Sequence, residues 1–94
     1  MKGKIAFIGA GKMATAIGKG LLARNGSAGL KLSAFDPSEA AAKAFTAKTS
    51  IPCEATLKKA LANADIVILA VKPQYIKEAL KDAAPLIKNA LLIS

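Results

Sequence analysis

The chain has 94 residues, which suffices for one domain with a single core and leaves no room for a second lobe. Its hydrophobic fraction of 53% excludes a disordered or fibrous chain, and with one Cys and no His it can form no internal disulfide and offers a metal ion few ligands. The net charge of +8 would attract a polyanion, but the lysines form no run longer than two and the one Tyr and three Phe do not alternate with them, so a nucleic-acid interface is not predicted.

The first predicted element is a short apolar run, Ile5–Ile8, that ends at a glycine. An apolar run without polar alternation is typical of a fully buried parallel strand. Beyond the glycines, Met13, Ile17 and Leu21 recur at helical spacing. They predict a helix whose apolar stripe faces the sheet.

Two glycines, Gly18 and Gly20, fall inside this predicted helix, where each costs up to about 1 kcal/mol relative to Ala. We expect them to mark a close contact between the helix and a strand. The stretch Asn25-Gly26-Ser27-Ala28-Gly29 is rich in turn-forming residues and is predicted to end the helix.

The second predicted strand is Leu30–Phe35, and a second helix opens directly after it. Pro37 falls at a tolerated first-turn position of that helix, and Glu39 is placed for a capping box with Asp36. The buried face of this helix is predicted to consist of Ala40, Ala41, Ala44 and Phe45.

A short third strand is predicted at Ile51–Cys53, followed by a brief helix that Thr56 can cap. The apolar residues of the brief helix are Leu57, Ala60 and Leu61. The stretch Ile66–Val71 is the most β-prone and apolar part of the chain, which predicts a central strand.

The last predicted elements are a helix and a fifth strand. Lys72-Pro73-Gln74 ends the fourth strand and starts the helix, which Pro85 is expected to break or kink. Leu91–Ile93 is the last predicted strand.

Strands and helices therefore alternate along the chain, which predicts an α/β fold with a parallel sheet and right-handed crossovers. We expect a Rossmann-type, doubly wound sheet of about five strands in the order 3-2-1-4-5, with helices on both faces. A ligand crevice is predicted at the carboxyl ends of strands one and four, where the strand order reverses.

The glycine motif Gly9-x-Gly11-x-x-Ala14 lies between a predicted strand and a predicted helix, which is the context that dinucleotide binding requires. Gly9 permits the tight turn, Gly11 lets the backbone approach a pyrophosphate, and the small Ala14 lets the helix pack on the strand. The helix N-terminus offers N–H groups to the phosphates. The alternative is a strand-to-helix turn with incidental glycines.

Asp36 ends the second strand, where the dinucleotide motif expects an acidic residue. Its carboxylate would accept hydrogen bonds from the adenosine ribose and repel a 2′-phosphate, which favours NAD. Alternatively Asp36 only caps the second helix, and Ser38 remains able to donate to a 2′-phosphate.

Val71-Lys72-Pro73-Gln74 ends the fourth strand beside the predicted crevice, so its backbone is placed to contact the ribose on the nicotinamide side or the pyrophosphate. Lys72 is as readily a solvated charge as a ligand. The same two interpretations hold for Lys12, although a cation in the glycine loop is well placed for a phosphate.

Two runs of this sequence resemble the N-terminal domain of pyrroline-5-carboxylate reductases. One is Ile5–Ala14, in which Met13-Ala14 is distinctive, and the other is Ala64–Gln74 with its Val-Lys-Pro-Gln ending. In that family a reduced nicotinamide cofactor, NADP or NAD, delivers hydride to the C=N carbon of a cyclic imino acid and gives proline. The resemblance covers essentially the whole chain, but only the cofactor-binding half of such an enzyme.

The resemblance also implies which segments hold the cofactor. The loop that ends at Ala14 would hold the pyrophosphate, Asp36–Ser38 the adenosine ribose, and Ala70–Pro73 the nicotinamide side. The predicted cofactor-binding residues are Ile8, Gly9, Gly11, Lys12, Met13, Ala14, Asp36, Pro37, Ser38, Ala70, Val71, Lys72 and Pro73. No catalytic and no metal-binding residue is predicted.

In this family the substrate groups come from a C-terminal helical domain that also forms the dimer. We therefore expect residues 1–94 to be a dinucleotide-binding domain cut from a longer protein, since the chain stops within or just after an apolar strand. It should bind cofactor and have no reductase activity by itself. The imino-acid substrate and the homo-oligomer would belong to the full-length protein.

Several alternatives stay open. Many family members carry Ser, Thr or a basic residue where this chain has Asp36, which leaves the choice between NADP and NAD undecided. A reductase that passes hydride between NADP and the deazaflavin coenzyme F420 shares the domain outline, although Met13-Ala14 and Lys72-Pro73-Gln74 fit the imino-acid enzymes better. A non-catalytic dinucleotide-sensing module would need no substrate domain, and a glycine-turn α/β domain would bind no ligand.

The compartment is also predicted. Cys53 lies in the apolar stretch Ile51-Pro52-Cys53 and is expected to be a buried, inert thiol, which fits a reducing compartment and a cytoplasmic protein. The apolar run near the N-terminus is broken by glycines and Lys12, unlike a signal peptide. No stretch approaches the ~18 apolar residues of a membrane span, so no membrane contact is expected.

Overall fold

The computed structural model describes residues 3–25, 30–87 and 90–93. Strands and helices alternate along the chain, as the sequence predicts. The elements are β1 (Gly3–Ile8), α1 (Lys12–Asn25), β2 (Leu30–Phe35), α2 (Glu39–Thr49), α3 (Leu57–Leu61), β3 (Ile66–Leu69), α4 (Pro73–Ala83), a 3₁₀ turn (Ala84–Leu86) and β4 (Leu91–Ile93).

The strands form one parallel sheet in the order β2-β1-β3-β4. In its centre Ile5 of β1 lies opposite Leu32 of β2 on one side and Ile66 of β3 on the other. The chain therefore leaves β1 toward one side of the sheet and later returns to its other side. This confirms the Rossmann-type doubly wound fold and places the reversal of strand order between β1 and β3.

The prediction of a third strand at Ile51–Cys53 is wrong, because Cys53 makes only an isolated bridge with Ala34. The N–H of Ala34 donates to the carbonyl of Pro52 (3.1 Å) and the N–H of Glu54 donates to the carbonyl of Ala34 (2.8 Å). In a parallel ladder the preceding rung needs an N–H at residue 52, and proline has none. The segment still lies outside β2, where the order 3-2-1-4-5 places it, but the described sheet has four strands instead of five.

Helices cover both faces of the sheet. On one face α1 and α2 pack on a cluster that contains Phe7 and Phe45, whose ring centroids are 5.9 Å apart. On the other face α3 and α4 pack against Ala6, Val67 and Leu69. Each fully buried large side chain contributes about 1.5–3 kcal/mol, so the two clusters hold the helices on the sheet without any disulfide.

The two glycines inside α1 differ from each other. A Cβ built on Gly18 would lie 2.8 Å from Cδ1 of Ile51, so α1 approaches the segment after α2 closely at this point. A Cβ built on Gly20 would meet no atom within 4 Å, so the predicted close contact is wrong for Gly20. α1 ends at Asn25, and residues 26–29 of the predicted loop lie outside the described residues.

Helix α2 begins two residues later than the predicted cap at Asp36 requires. Its N-cap is Ser38, whose Oγ accepts from the N–H of Ala41 (3.2 Å), so Pro37 precedes the helix and Asp36 forms no capping box with Glu39. The cap of α3 is confirmed, since Oγ1 of Thr56 accepts from the N–H of Lys59 (3.2 Å).

The end of the chain is close to prediction. β3 stops at Leu69, two residues before the predicted end, because the chain turns at Ala70 and Val71 toward α4. α4 gives way to the 3₁₀ turn that contains Pro85, as expected. Within the described ranges, no helix is long and apolar enough to cross a membrane, and no cluster of His, Cys, Asp and Glu is suited to a metal ion.

Candidate functional site

Gly9 forms the turn between β1 and α1. Its φ is +101°, in the region that favours glycine, and its N–H donates to the carbonyl of Phe35 at the end of β2 (2.8 Å). A Cβ at this position would lie 2.5 Å from the carbonyl oxygen of Ala70. Gly9 is therefore required both by the backbone conformation and by the close approach of a neighbouring chain segment.

The same approach brings the two sequence motifs together. The N–H of Ala70 donates to the carbonyl of Ile8 (2.9 Å), and Val71 Cγ1 lies 3.0 Å from the Cβ position of Gly9. The glycine loop and the segment Ala70–Pro73 thus follow adjacent strands at the same end of the sheet. This is the point where the strand order reverses and where open α/β sheets bind ligands.

Asp36 connects the third predicted cofactor-binding segment, Asp36–Ser38, to the glycine loop. Its Oδ2 accepts from the N–H of Ala10 (2.9 Å) and its Oδ1 accepts from the N–H of Ser38 (2.8 Å). The carboxylate therefore ties the glycine loop to the loop after β2, instead of capping α2 as the alternative reading held. Two backbone bonds leave further lone pairs of the carboxylate open to hydroxyl donors.

Helices α1 and α4 begin at the crevice, and their N-termini lack the side-chain caps that α2 and α3 have. α1 follows Gly11, which has no side chain, and α4 follows Lys72, whose side chain makes no cap hydrogen bond. Neither helix has an acidic residue in its first turn, whereas α2 and α3 are capped by Ser38 and Thr56. At the crevice, the partial positive charge of both helix ends is thus left for an anion. The free N–H groups come mainly from α1, because Pro73 has no N–H and the N–H of Tyr75 donates to the carbonyl of Lys72 (2.9 Å).

Among the residues at the start of α1, Gly11 and Met13 are exposed and Ala14 is buried. Gly11 is exposed, and a Cβ on it would meet no atom within 4 Å, so its backbone is open to a ligand. Ala14 is fully buried, as the motif requires for helix packing. Met13 is 52% exposed, which corrects its predicted place in the apolar stripe: the side of the first turn that faces the core is occupied by Ala14.

The remaining predicted site residues differ in exposure, and Ile8 and Ala70 are buried. Pro37, Ser38, Lys72 and Pro73 are exposed, and Val71 is half-buried. Across the described part of the chain the ion pair found is Lys43 with Glu39, so neither Lys12 nor Lys72 is matched by a carboxylate. Both lysines are therefore available to an anionic ligand.

A cleft that the sequence did not predict opens beside Asp36, with a volume of about 820 Å³. Its walls include Pro37, the outer face of α2, and the segment Cys53–Ala55. Cys53 is half-buried, and burial raises the pKa of its thiol, with the carboxylates of Asp36 and Glu54 acting in the same direction. A raised pKa lowers the thiolate fraction, in line with the expected inert thiol. The predicted strand order places this segment beside β2, and the bridge between Ala34 and Cys53 agrees with it, but no local signal in the sequence marks the cleft that the segment forms with α2.

The doubly wound sheet, the glycine turn and the uncapped helix ends define a Rossmann-type dinucleotide-binding domain. The model of one family, described as NADP oxidoreductase, coenzyme F420-dependent, matches residues 4–94. The chain belongs to this family.

Two curated relatives are pyrroline-5-carboxylate reductases. That of Pseudomonas aeruginosa is 37% identical over 90 residues, which cover 96% of this chain and 33% of the relative. That of Vibrio alginolyticus is 39% identical over 92 residues, which cover 97% of this chain and 34% of the relative. The chain thus spans about a third of the length of these relatives, and the resemblance predicted from the two motifs is confirmed.

A solved structure agrees with both the fold and the cofactor class. The pyrroline carboxylate reductase of Plasmodium falciparum, with NADP bound, matches with a TM-score of 0.75 and 25% identity over 96% of this chain and 32% of that one. The predicted nicotinamide dinucleotide therefore agrees with the cofactor in the family description and in this neighbour.

Proposed function

We propose that the chain binds NAD(P)(H) in the crevice between the carboxyl ends of β1 and β3. The observation that carries the proposal is the convergence of three segments at this point. Ala10 of the glycine loop is bonded to Asp36, and Gly9 is packed against Ala70. Two helix N-termini without side-chain caps begin at the same place.

The geometry supports the following roles for the individual residues. The N–H groups at the start of α1, from Gly11 to Ala14, have no carbonyl partner within the helix and donate to the pyrophosphate. The open lone pairs of Asp36 accept from the adenosine ribose, with Pro37 and Ser38 beside them. Ala70–Pro73 line the nicotinamide side of the site. Ile8 is the last residue of β1 and directly precedes the glycine loop.

For the longer protein we propose reduction of the C=N bond of 1-pyrroline-5-carboxylate to proline, with the bound cofactor as hydride donor. The names and the 37% and 39% identities of the two curated relatives support this reaction. Substrate groups and the dimer interface would come from a C-terminal helical domain that residues 1–94 do not include. Proline formation by the 94-residue chain alone would contradict this division of roles.

A second candidate is hydride transfer between NADP and coenzyme F420, which the family description favours. The two candidates share the dinucleotide site and differ in the second substrate. An enzyme that joins this domain to its downstream domain, assayed with pyrroline-5-carboxylate and with F420, distinguishes them.

The proposal is tested by titrating the chain with NADH and with NADPH, followed by cofactor fluorescence or calorimetry. We expect saturable binding of at least one of them. Absence of binding of both at millimolar concentration would reject the dinucleotide site and favour a glycine-turn domain without a ligand.

Gly11→Ser is expected to change stability and binding in opposite directions. A serine at this position can cap α1, which adds only about 0.2–0.5 kcal/mol to the free energy of unfolding, since glycine is itself a tolerated N-cap residue. Its hydroxyl would occupy N–H groups that the pyrophosphate needs, so both dinucleotides should bind at least about tenfold more weakly. Urea denaturation and calorimetric titration measure the two effects.

The matched control for this variant is Gly20→Ser, in the same helix and also in open space. It should leave both dissociation constants unchanged. If Gly11→Ser binds the dinucleotides as tightly as the wild type, the pyrophosphate does not lie on the N-terminus of α1.

A further inference from the structure

One face of the sheet is covered over only part of its width. Helices α1 and α2 pack on this face over β1 and β2. On β3 the side chains that point to the same face, Ile66 and Ile68, are only half-buried, whereas Val67 and Leu69, which point to α4, are buried. Parallel strands of α/β proteins are normally buried on both faces, so β3 departs from this rule on the side of α1.

Strand β4 extends this exposed area. Leu91 and Ile93 lie opposite Ile66 and Ile68 in the parallel ladder, so the four side chains share one face of the sheet. Leu91 is 60% exposed and Ile93 is 44% exposed, although both are large and apolar. We call these four residues the uncovered face. A contiguous apolar surface of this kind is typical of an interaction site.

Helix α1 forms a wall along the uncovered face. Gly18 contacts Ile51 beyond α2, and Gly20 lies about 200° further around the helix, so Gly20 is on the opposite flank, toward β3. Met13, seven residues before Gly20, shares that flank. Both residues are exposed and uncharged. Gly20 lowers helix stability and has no close contact in the described part of the fold, which fits a position where a second helix approaches α1.

The wall and the uncovered face together form a trough with room for one helix. Two neighbouring strands are about 10 Å wide, and a helix with its side chains is about 10–12 Å across. The floor of the trough is aliphatic, so a helix that fills it must present an apolar stripe. At its carboxyl end the trough reaches Ala70, which follows β3 and belongs to the proposed nicotinamide side of the crevice.

A second copy of these 94 residues does not offer such a helix. The apolar stripes of α1, α2 and α4 are already packed on their own sheet, and α3 has only five residues. The outward faces of the three longer helices carry exposed lysines, which are Lys12, Lys19, Lys43, Lys48, Lys77 and Lys81. Burial of a lysine against aliphatic side chains without a partner is costly. The fitting helix therefore belongs to a different segment or protein.

Resting on the proposed function, we propose that the trough binds a helix of the downstream domain of the longer protein through an apolar stripe on that helix. The aligned part covers only 33% and 34% of the two curated relatives, so proteins of this kind have ample length for it. Because the trough reaches Ala70, the docked helix positions the downstream domain beside the nicotinamide end of the crevice. The same docking serves either of the two candidate second substrates.

Thiol labelling tests the proposal in a Cys53→Ala background. Gly20→Cys and Leu91→Cys are introduced one at a time into the 94-residue chain and into the protein that joins it to its downstream domain. Both thiols should react with a maleimide at least about tenfold more slowly in the longer protein, because the docked helix blocks access. The matched control is Ala44→Cys, an exposed position on α2, which should react at the same rate in both proteins.

Three other outcomes would overturn the proposal. One is equal labelling of Gly20→Cys and Leu91→Cys in the two proteins. Another is slow labelling already in the 94-residue chain together with a dimer in sedimentation velocity, which would assign the uncovered face to a second copy. The third is protection of Leu91→Cys without protection of Gly20→Cys, which would indicate a strand added to the edge of β4. Labelling needs no cofactor, so failure of the chain to bind NADH or NADPH would reject the proposed function separately.

Discussion

Replacing Gly9 with alanine is expected to lower the free energy of unfolding by about 2–5 kcal/mol. The new Cβ would have to lie 2.5 Å from the carbonyl oxygen and 2.9 Å from the carbonyl carbon of Ala70, and backbone atoms cannot move away as a flexible side chain can. The φ of +101° adds strain for any L side chain. Small domains are stable by only about 5–15 kcal/mol, so urea denaturation followed by circular dichroism should detect a large shift of the midpoint.

The matched control is Gly20→Ala in α1, where the added Cβ meets no atom within 4 Å. Because Ala favours a helix over Gly, this variant should be stabilised by up to about 1 kcal/mol. Equal stability of the Gly9→Ala variant and the wild type would show that the loop does not pass this close to Ala70.

Replacing Asp36 with asparagine is expected to weaken NADH binding by about tenfold and to shift the ratio of affinities toward NADPH. The amide keeps the shape of the side chain, but it has one acceptor oxygen where the carboxylate serves Ala10 and Ser38 with two. Hydrogen bonds to a charged group contribute about 1.5–3 kcal/mol, and the ribose loses such a partner. The same substitution removes a negative charge that repels a 2′-phosphate, so the affinity for NADPH should fall less than the affinity for NADH.

The variant should also lose about 1–3 kcal/mol of stability. Of the two N–H groups that donate to Asp36, one would face the NH₂ group of the asparagine and lose its acceptor. Thr56→Ala separates the two effects, since it removes only the hydrogen bond between Thr56 and the N–H of Lys59, neither of which is a proposed cofactor-binding residue, at a cost of about 0.5–2 kcal/mol. Calorimetry should show unchanged affinities for Thr56→Ala. If Asp36→Asn is destabilised and its NADPH-to-NADH ratio stays the same, Asp36 only fastens the glycine loop and does not contact the ribose.

Much of the fold is predictable from the sequence because its signals are local. An apolar run that stops at a glycine marks β1, and Thr56 caps α3 through a hydrogen bond to Lys59, three residues away. The helix break near Pro85 follows from the missing N–H of proline. The predicted third strand is wrong for a related reason, since Pro52 has no N–H to donate in the preceding rung of a parallel ladder.

The candidate site was predictable in its parts and less so in their connections. The glycine loop and the segment Ala70–Pro73 were both identified by motif, and the sheet brings them into contact. Asp36 was also identified, but its two alternatives could not be decided. Its bond to Ala10 spans 26 positions, so no local spacing indicates it.

The sequence by itself therefore determined the alternation of strands and helices, the glycine turn and the segments that face the crevice, because backbone conformation and helix or strand period depend on near neighbours. Only the tertiary structure decided that Asp36 binds the glycine loop, that Gly18 and not Gly20 lies in a close contact, and that Met13 faces outward. These facts depend on which distant segments the sheet places side by side, and packing across the fold sets those distances.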